Sequence, residues 1–168
     1  MLYLLFGEMG VGKNYVGERL AKHLGCEFYD GDFSMPEDMK DRVKRFSFLP
    51  AKMIDRFVVY LMQDIYYLLR DHEDVVVSQA LYKEEHRQTI WNQFPSARLI
   101  HVVPPSTYVH LSRILARPRG YRWALYCLMS KPFFQKPRCE ADVIVNDTDE
   151  NIDRQIENIE ACCYWGRR

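Results

Sequence analysis

No charge of either sign predominates in this chain. Its 23 basic and 23 acidic side chains leave a formal net charge of zero, so the overall field draws it to neither nucleic acid nor an acidic membrane. No apolar run reaches the ~20 residues that a bilayer-spanning helix needs, because charges interrupt every candidate. The short run Leu2 to Phe6 is too brief for a signal peptide and has no basic start. The five cysteines are odd in number and lack zinc-type spacing, which predicts reduced thiols in a cytoplasmic protein. Adjacent Cys162 and Cys163 read as small apolar filler at a helix end rather than as a redox pair. Linkers, repeats and low-complexity tracts are missing too, so the 168 residues predict one domain with a substantial core. One scarcity is local: no Asp or Glu occurs between His86 and Cys139.

What is present begins at the N-terminus. Gly7-Glu8-Met9-Gly10-Val11-Gly12-Lys13-Asn14 follows the apolar run and fits the phosphate-loop pattern G-x-x-x-x-G-K-S/T except at its last position. A helical pattern through Tyr15, Val16, Leu20 and Leu24 comes next and is stopped by Gly25. The glycines let the backbone approach a ligand, and the loop amides converge on phosphate oxygens at the positive end of a helix. Residues Gly7 to Tyr15 are therefore the expected nucleotide-binding segment, with Lys13 as the cation for the outer phosphates. The segment predicts binding of a nucleoside triphosphate, or descent from a chain that bound one. Asn14 replaces the hydroxyl that ligates magnesium. Its amide oxygen is also a hard neutral donor, so Asn14 remains a candidate metal ligand.

A short strand Cys26 to Tyr29 leads into Asp30-Gly31-Asp32, at the carboxyl edge where open α/β sheets bind ligands. If the strand continues, both aspartates point the same way. One carboxylate there suits magnesium and the other suits the proton of a substrate hydroxyl. A turn held by local hydrogen bonds is the alternative. Further along, Val75 to Val77, Arg98 to Val103 and Ala141 to Val145 read as buried strands. Ile54, Phe57, Val58, Leu61, Ile65, Leu68 and Leu69 mark an amphipathic helix that belongs to the core. His101 reads as a core or edge histidine. Strands alternating with helices predict an α/β three-layer domain with a parallel sheet.

The loop followed by "FYDGDFSMPEDM" resembles the gluconate kinase and shikimate kinase group of small P-loop kinases, gluconate kinase more closely. Met35 stands before Pro36 where gluconate kinases usually have histidine. The resemblance covers nearly the whole chain and implies a five-stranded parallel sheet in the nucleoside-monophosphate-kinase arrangement, residues 1–168 forming a single P-loop kinase domain. It implies an ATP- and Mg²⁺-dependent kinase passing the γ-phosphoryl group to a hydroxyl of a sugar acid, gluconate first. Shikimate, another small acceptor, or a nucleotide-binding regulatory module without turnover are the alternatives. Asp30 is then assigned to the metal and Asp32 to the acceptor hydroxyl. Asp55-Arg56 matches an Asp-Arg pair of the family, which makes Arg56 a carboxylate ligand for the acceptor. Ser78-Gln79-Ala80-Leu81 resembles the family's "S-A-L-K" segment, so Lys83, and with it Arg87, falls at basic substrate-binding positions.

The acid-free, arginine-rich stretch corresponds to the lid, about residues 117–137, which closes over ATP. Arg119, beside the matching Gly120, is the expected catalytic arginine. A basic patch interleaved with Tyr121, Trp123 and Tyr126 for nucleic acid is the rival reading of that stretch. The family's adenine pocket falls near Asn146 to Thr148. A monomer or homodimer acting on small molecules, with no membrane partner, completes the expectation.

Overall fold

The computed structural model describes residues 1–138 and 141–165, with side chains through residue 160. Cys139 and the side chains of Cys162 and Cys163 therefore lie outside the described residues. Five strands form one parallel sheet: β1 (Leu2–Phe6), β2 (Glu27–Asp30), β3 (Val75–Gln79), β4 (Arg98–Val103) and β5 (Asp142–Val145), in the order β2-β3-β1-β4-β5. The expected parallel α/β sheet is what the chain builds. The central strand β1 explains how the layers assemble. All five of its residues are buried, and their period of two sends alternate side chains to opposite faces.

Leu2, Leu4 and Phe6 pack with Phe57, Val58, Leu61 and Ile65 of α3 (Ala51–Asp71), and with Met39 of α2 (Glu37–Lys44) and Ile90 of α4 (Glu84–Gln93). Tyr3 and Leu5 pack on the other face with Val16 and Leu20 of α1 (Lys13–Leu24) and Ile152 and Ile156 of α7 (Asp149–Trp165). The helix predicted from Ile54 to Leu69 is thus the buried face of α3. Within α1, Val16 and Leu20 are buried while Tyr15 is 43% exposed, so Tyr15 departs from the expected apolar face.

Two further helices, α5 (Thr107–Leu115) and α6 (Gly120–Ser130), pack on one another through Ile114, Ala124 and Cys127. The expected lid stretch therefore consists of α6 and a following 3₁₀ turn, Lys131–Phe133. The choice that the sequence leaves open at Asp30-Gly31-Asp32 goes to the turn. The strand does not run through Gly31 but ends at Asp30, and a 3₁₀ turn, Gly31–Ser34, takes over. The Asp30 carboxylate causes this by accepting the Asp32 amide at 3.0 Å, a local side-chain-to-backbone bond that competes with the sheet ladder. Gly31 is needed for it, since a Cβ would stand 2.9 Å from the Ser78 carbonyl.

Candidate active site

The phosphate loop joins the carboxyl end of β1 to α1 and is held from outside by side chains. The Met9 carbonyl accepts from His110 Nε2 at 2.7 Å, which fixes the proton on that nitrogen. The Val11 carbonyl accepts from Asn146 Nδ2 at 2.7 Å, and the Met9 amide donates to the Tyr82 hydroxyl at 3.1 Å. Gly12 sits at φ 89°, a left-handed conformation in which a Cβ would overlap the Asn146 amide. Lys13 is 8% exposed and bends back to donate to the Glu8 carbonyl at 3.0 Å. Burial pushes its ammonium down to about 8, aided by the Arg117 charge and opposed by Asp32 and Asp30.

The ends of β3, α1 and β2 are linked by a run of polar contacts. Ser78 Oγ donates to Asn14 Oδ1 at 2.6 Å, and Asn14 Nδ2 donates to Asp30 Oδ2 at 2.5 Å. Asp30 Oδ1 takes the Asp32 amide, and Asp32 Oδ1 accepts from Gln79 Nε2 at 3.0 Å. Asn14 therefore has its amide oriented by two neighbours. Asp30 and Asp32 offer carboxylate oxygens of the hard type that magnesium prefers, close to the loop that would hold phosphates, so they fit that ion, while Asn14 presents its amide nitrogen to Asp30 and would have to turn its oxygen from Ser78 to join them.

These groups face a cavity of about 770 Å³. Gly10, Gly12, Lys13, Asn14, Tyr15, Asp30, Asp32 and Lys83 line it, so these expected site residues are brought together. Met9 lines it as well, whereas Gly7, Glu8 and Val11 serve the loop from behind: Val11 is buried and Glu8 supplies a carbonyl to Lys13. Two expected arginines are not brought in. Arg56 lies on the surface, where Nη2 donates to Asp38 Oδ2 at 2.5 Å, and it does not line the cavity. Its position on α3 turns it toward α2 rather than inward. Arg119 caps α6 at φ 58° and is likewise outside the lining, whereas Arg117 faces the cavity near Lys13.

Arg87 is fully buried and lines nothing. Its guanidinium donates to Glu84 Oε2 at 2.6 and 2.9 Å and to the carbonyls of Leu81 and Gln135, with the Phe6 ring centroid at 4.9 Å. It clamps the chain after α6 to the start of α4. His101 is a half-buried histidine stacked on Phe6 and Phe134, as its apolar neighbours predicted, and burial lowers its pKa. The carbonyls of Asn146 and Asp147 accept from Arg113, and the segment expected at the adenine does not line this cavity. Sequence reasoning missed Ser78 as the partner of Asn14, and also Tyr82, His110 and Asn146 as holders of the loop. Only Ser78 carried a signal, as a polar residue ending a valine strand.

Known proteins share this fold. The shikimate kinase family model matches residues 9–50. A shikimate kinase from Thiobacillus denitrificans is 64% identical over 31 residues, 18% of this chain and 16% of that protein's length. Over nearly the whole chain, a gluconokinase from Sinorhizobium meliloti superposes with a TM-score of 0.81 at 18% identity, covering 99% of this chain and 97% of that one. A sugar kinase from Janibacter gives 0.78 at 18%, covering 95% and 92%. A shikimate kinase from Bacteroides thetaiotaomicron gives 0.61 at 12%, covering 98% of each. At such identities the structural likeness establishes the fold. With the family match over its phosphate loop and the segment after it, the chain is similar to the gluconate kinase and shikimate kinase group of small P-loop proteins.

Proposed function

We propose that the protein transfers the γ-phosphoryl group of ATP to a hydroxyl of a small molecule. The observation carrying this reading is that one cavity joins the phosphate loop and Lys13 to the two carboxylates at and just beyond the end of β2. Loop amides and Lys13 hold the phosphates, and Arg117, from the segment over the cavity, adds positive charge where it develops during transfer. Asp30, with Asn14 beside it, would hold magnesium, which would supply positive charge against the phosphates. Asp32 Oδ2 has no hydrogen-bond partner among the described residues and receives the acceptor's hydroxyl proton. It need not be a strong base, because positioning and electrostatics dominate phosphoryl transfer. Residues 117–137 act as the lid. The likeness to gluconate and shikimate kinases makes gluconate, then shikimate, the reference acceptors.

A nucleotide-binding module without turnover is the second reading, favoured by Asn14, whose oxygen already accepts from Ser78. Thermal unfolding with ATP-magnesium and with ATP-EDTA, followed by ADP release over an acceptor panel, separates the two. A ligand stabilises only the state it binds, so a kinase shows magnesium-dependent stabilisation and acceptor-dependent ADP release. The module shows stabilisation alone, and a chain indifferent to ATP refutes both.

A further inference from the structure

The cavity has two chemically different ends. Lys13, Asn14, Asp30, Asp32 and Arg117 make one end polar. Away from them the wall is apolar and aromatic: Met39 and Val43 of α2, Phe48 of the following loop, Ile54 and Phe57 of α3, and Phe133 beyond α6. Phe48 stacks on Tyr126 at 5.5 Å and meets Phe133 edge-on at 6.1 Å, so the wall continues across the gap between the α2–α3 loop and α6.

Most of the polar groups in that wall already have a partner among the described residues. Lys83 Nζ is paired with Glu85 at 2.7 Å, and His86 Nε2 with Asp55 at 2.9 Å. The Tyr82 hydroxyl takes the Met9 amide and lies 3.3 Å from Ser130 Oγ, and Gln135 Oε1 accepts the Glu84 amide. Both ends of the Gln79 amide are used, by Asp32 and by the Ala80 amide. Among the described residues, no guanidinium reaches the apolar end: Arg56 is tied to Asp38, and Arg87 is buried in its own pair.

An open-chain sugar acid would bring several hydroxyls and a carboxylate into this wall. Each hydroxyl left unpaired there weakens binding about 5- to 150-fold, and an unpaired carboxylate weakens it more. A ring with one hydroxyl at its edge loses nothing of the kind and gains burial against aromatic faces.

We propose that the acceptor is a ring-bearing apolar alcohol: one hydroxyl attached to an aromatic or alicyclic body, with no carboxylate. This rests on the kinase reading above and names its substrate class. The ring occupies the end lined by Phe48, Ile54 and Phe57, and the hydroxyl reaches Asp32. Its oxygen bonds to the γ-phosphorus of ATP while the bond from that phosphorus to the β,γ-bridging oxygen breaks. ADP leaves with that electron pair, and the hydroxyl proton passes to Asp32 and on to solvent. The products are a phosphate monoester, ADP and a proton.

The test has two parts. Calorimetry of ATP-magnesium with the native protein and Lys13→Ala checks the nucleotide reading without any acceptor. ADP release is then measured with benzyl alcohol, cyclohexylmethanol and indole-3-ethanol, against gluconate and shikimate. The expected result is at least one ring alcohol whose kcat/KM exceeds both acids by about tenfold or more. In Ile54→Arg, which places a cation in the apolar end, that preference shrinks or inverts. Should Ile54→Arg fail to fold, Phe48→Ser in the loop replaces it and is expected to raise the ring alcohol's KM. If ATP-magnesium binds but gluconate or shikimate is the better acceptor, or no ring alcohol raises ADP release above buffer, the substrate class is overturned and the nucleotide reading stands. If ATP-magnesium does not bind, the kinase reading itself falls.

Discussion

Raising the pH from about 7 to about 9 should loosen the grip on ATP about tenfold, through Lys13 alone. Burial holds the Lys13 ammonium at about 8 in the ligand-free protein, whereas phosphate oxygens beside it restore the charged form. Binding above that value must take up a proton. The affinity is then reduced by a factor 1 + 10^(pH − pKa), which is about 1.1 at pH 7 and about 11 at pH 9, a difference of about 1.4 kcal/mol. Titration calorimetry with a non-hydrolysable ATP analogue and saturating magnesium measures this directly. Near pH 8, two buffers of different protonation enthalpy should report about half a proton taken up per nucleotide. Lys13→Arg keeps its charge throughout and should bind without this slope. The ligand-free protein should move the other way. Its unfolded chain holds this proton up to the ordinary lysine value of 10.5 but the folded chain only to about 8, so stability rises with pH between them. A wild-type affinity flat to pH 9, or an equal loss in Lys13→Arg, would refute the reasoning.

Asp30→Asn should raise the magnesium concentration for half-maximal rate. Asp32→Asn should lower kcat with nucleotide affinity nearly unchanged, since a group meeting only the reacting hydroxyl acts chiefly in the transition state; initial-rate kinetics in both variants decides, and exchanged phenotypes reverse the assignment. Arg117→Ala should cut turnover by about 10³-fold, the lower range for a lost transfer arginine, while Arg119→Ala, outside the cavity, should change it little; equal losses would count against the placement of Arg117. Arg87→Ala should cost about 3–5 kcal/mol in urea unfolding, the range for breaking a buried ion pair, because Glu84 and two carbonyls lose their donor together; a loss below about 1 kcal/mol would mean the cluster contributes no more than a surface pair.

Much of this architecture was legible in the chain because its signals are local. The glycine spacing, the valine run ending at Ser78 and the heptad-like apolar positions of α3 each depend on neighbours within a few residues. Which arginine faces the cavity does not. Arg56 and Arg119 are the arginines the sequence points to, but Asp38 holds the first at the surface and the turn into α6 leaves Arg117, not Arg119, facing the cavity. The burial of Arg87 was illegible for the same reason, since its partners Phe6, Leu81, Glu84 and Gln135 are gathered from four segments. At Asp30-Gly31-Asp32 the sequence offered both strand and turn. The bond from the Asp32 amide to the Asp30 carboxylate decided for the turn, yet left both carboxylates facing the cavity.

The outward ties on the phosphate loop carry a kinetic consequence. With the carbonyls of Met9 and Val11 drawn away by His110 and Asn146, the entropy of ordering this segment is lost when the chain folds, not when the nucleotide arrives. A nucleotide binding here would meet a finished mould, and encounter rather than loop closure would set how fast it docks. The cost lies in dependence on distant parts of the molecule, because His110 comes from α5 and Asn146 from the end of β5. Loosening either element would slow capture of the nucleotide well before the sheet itself gave way.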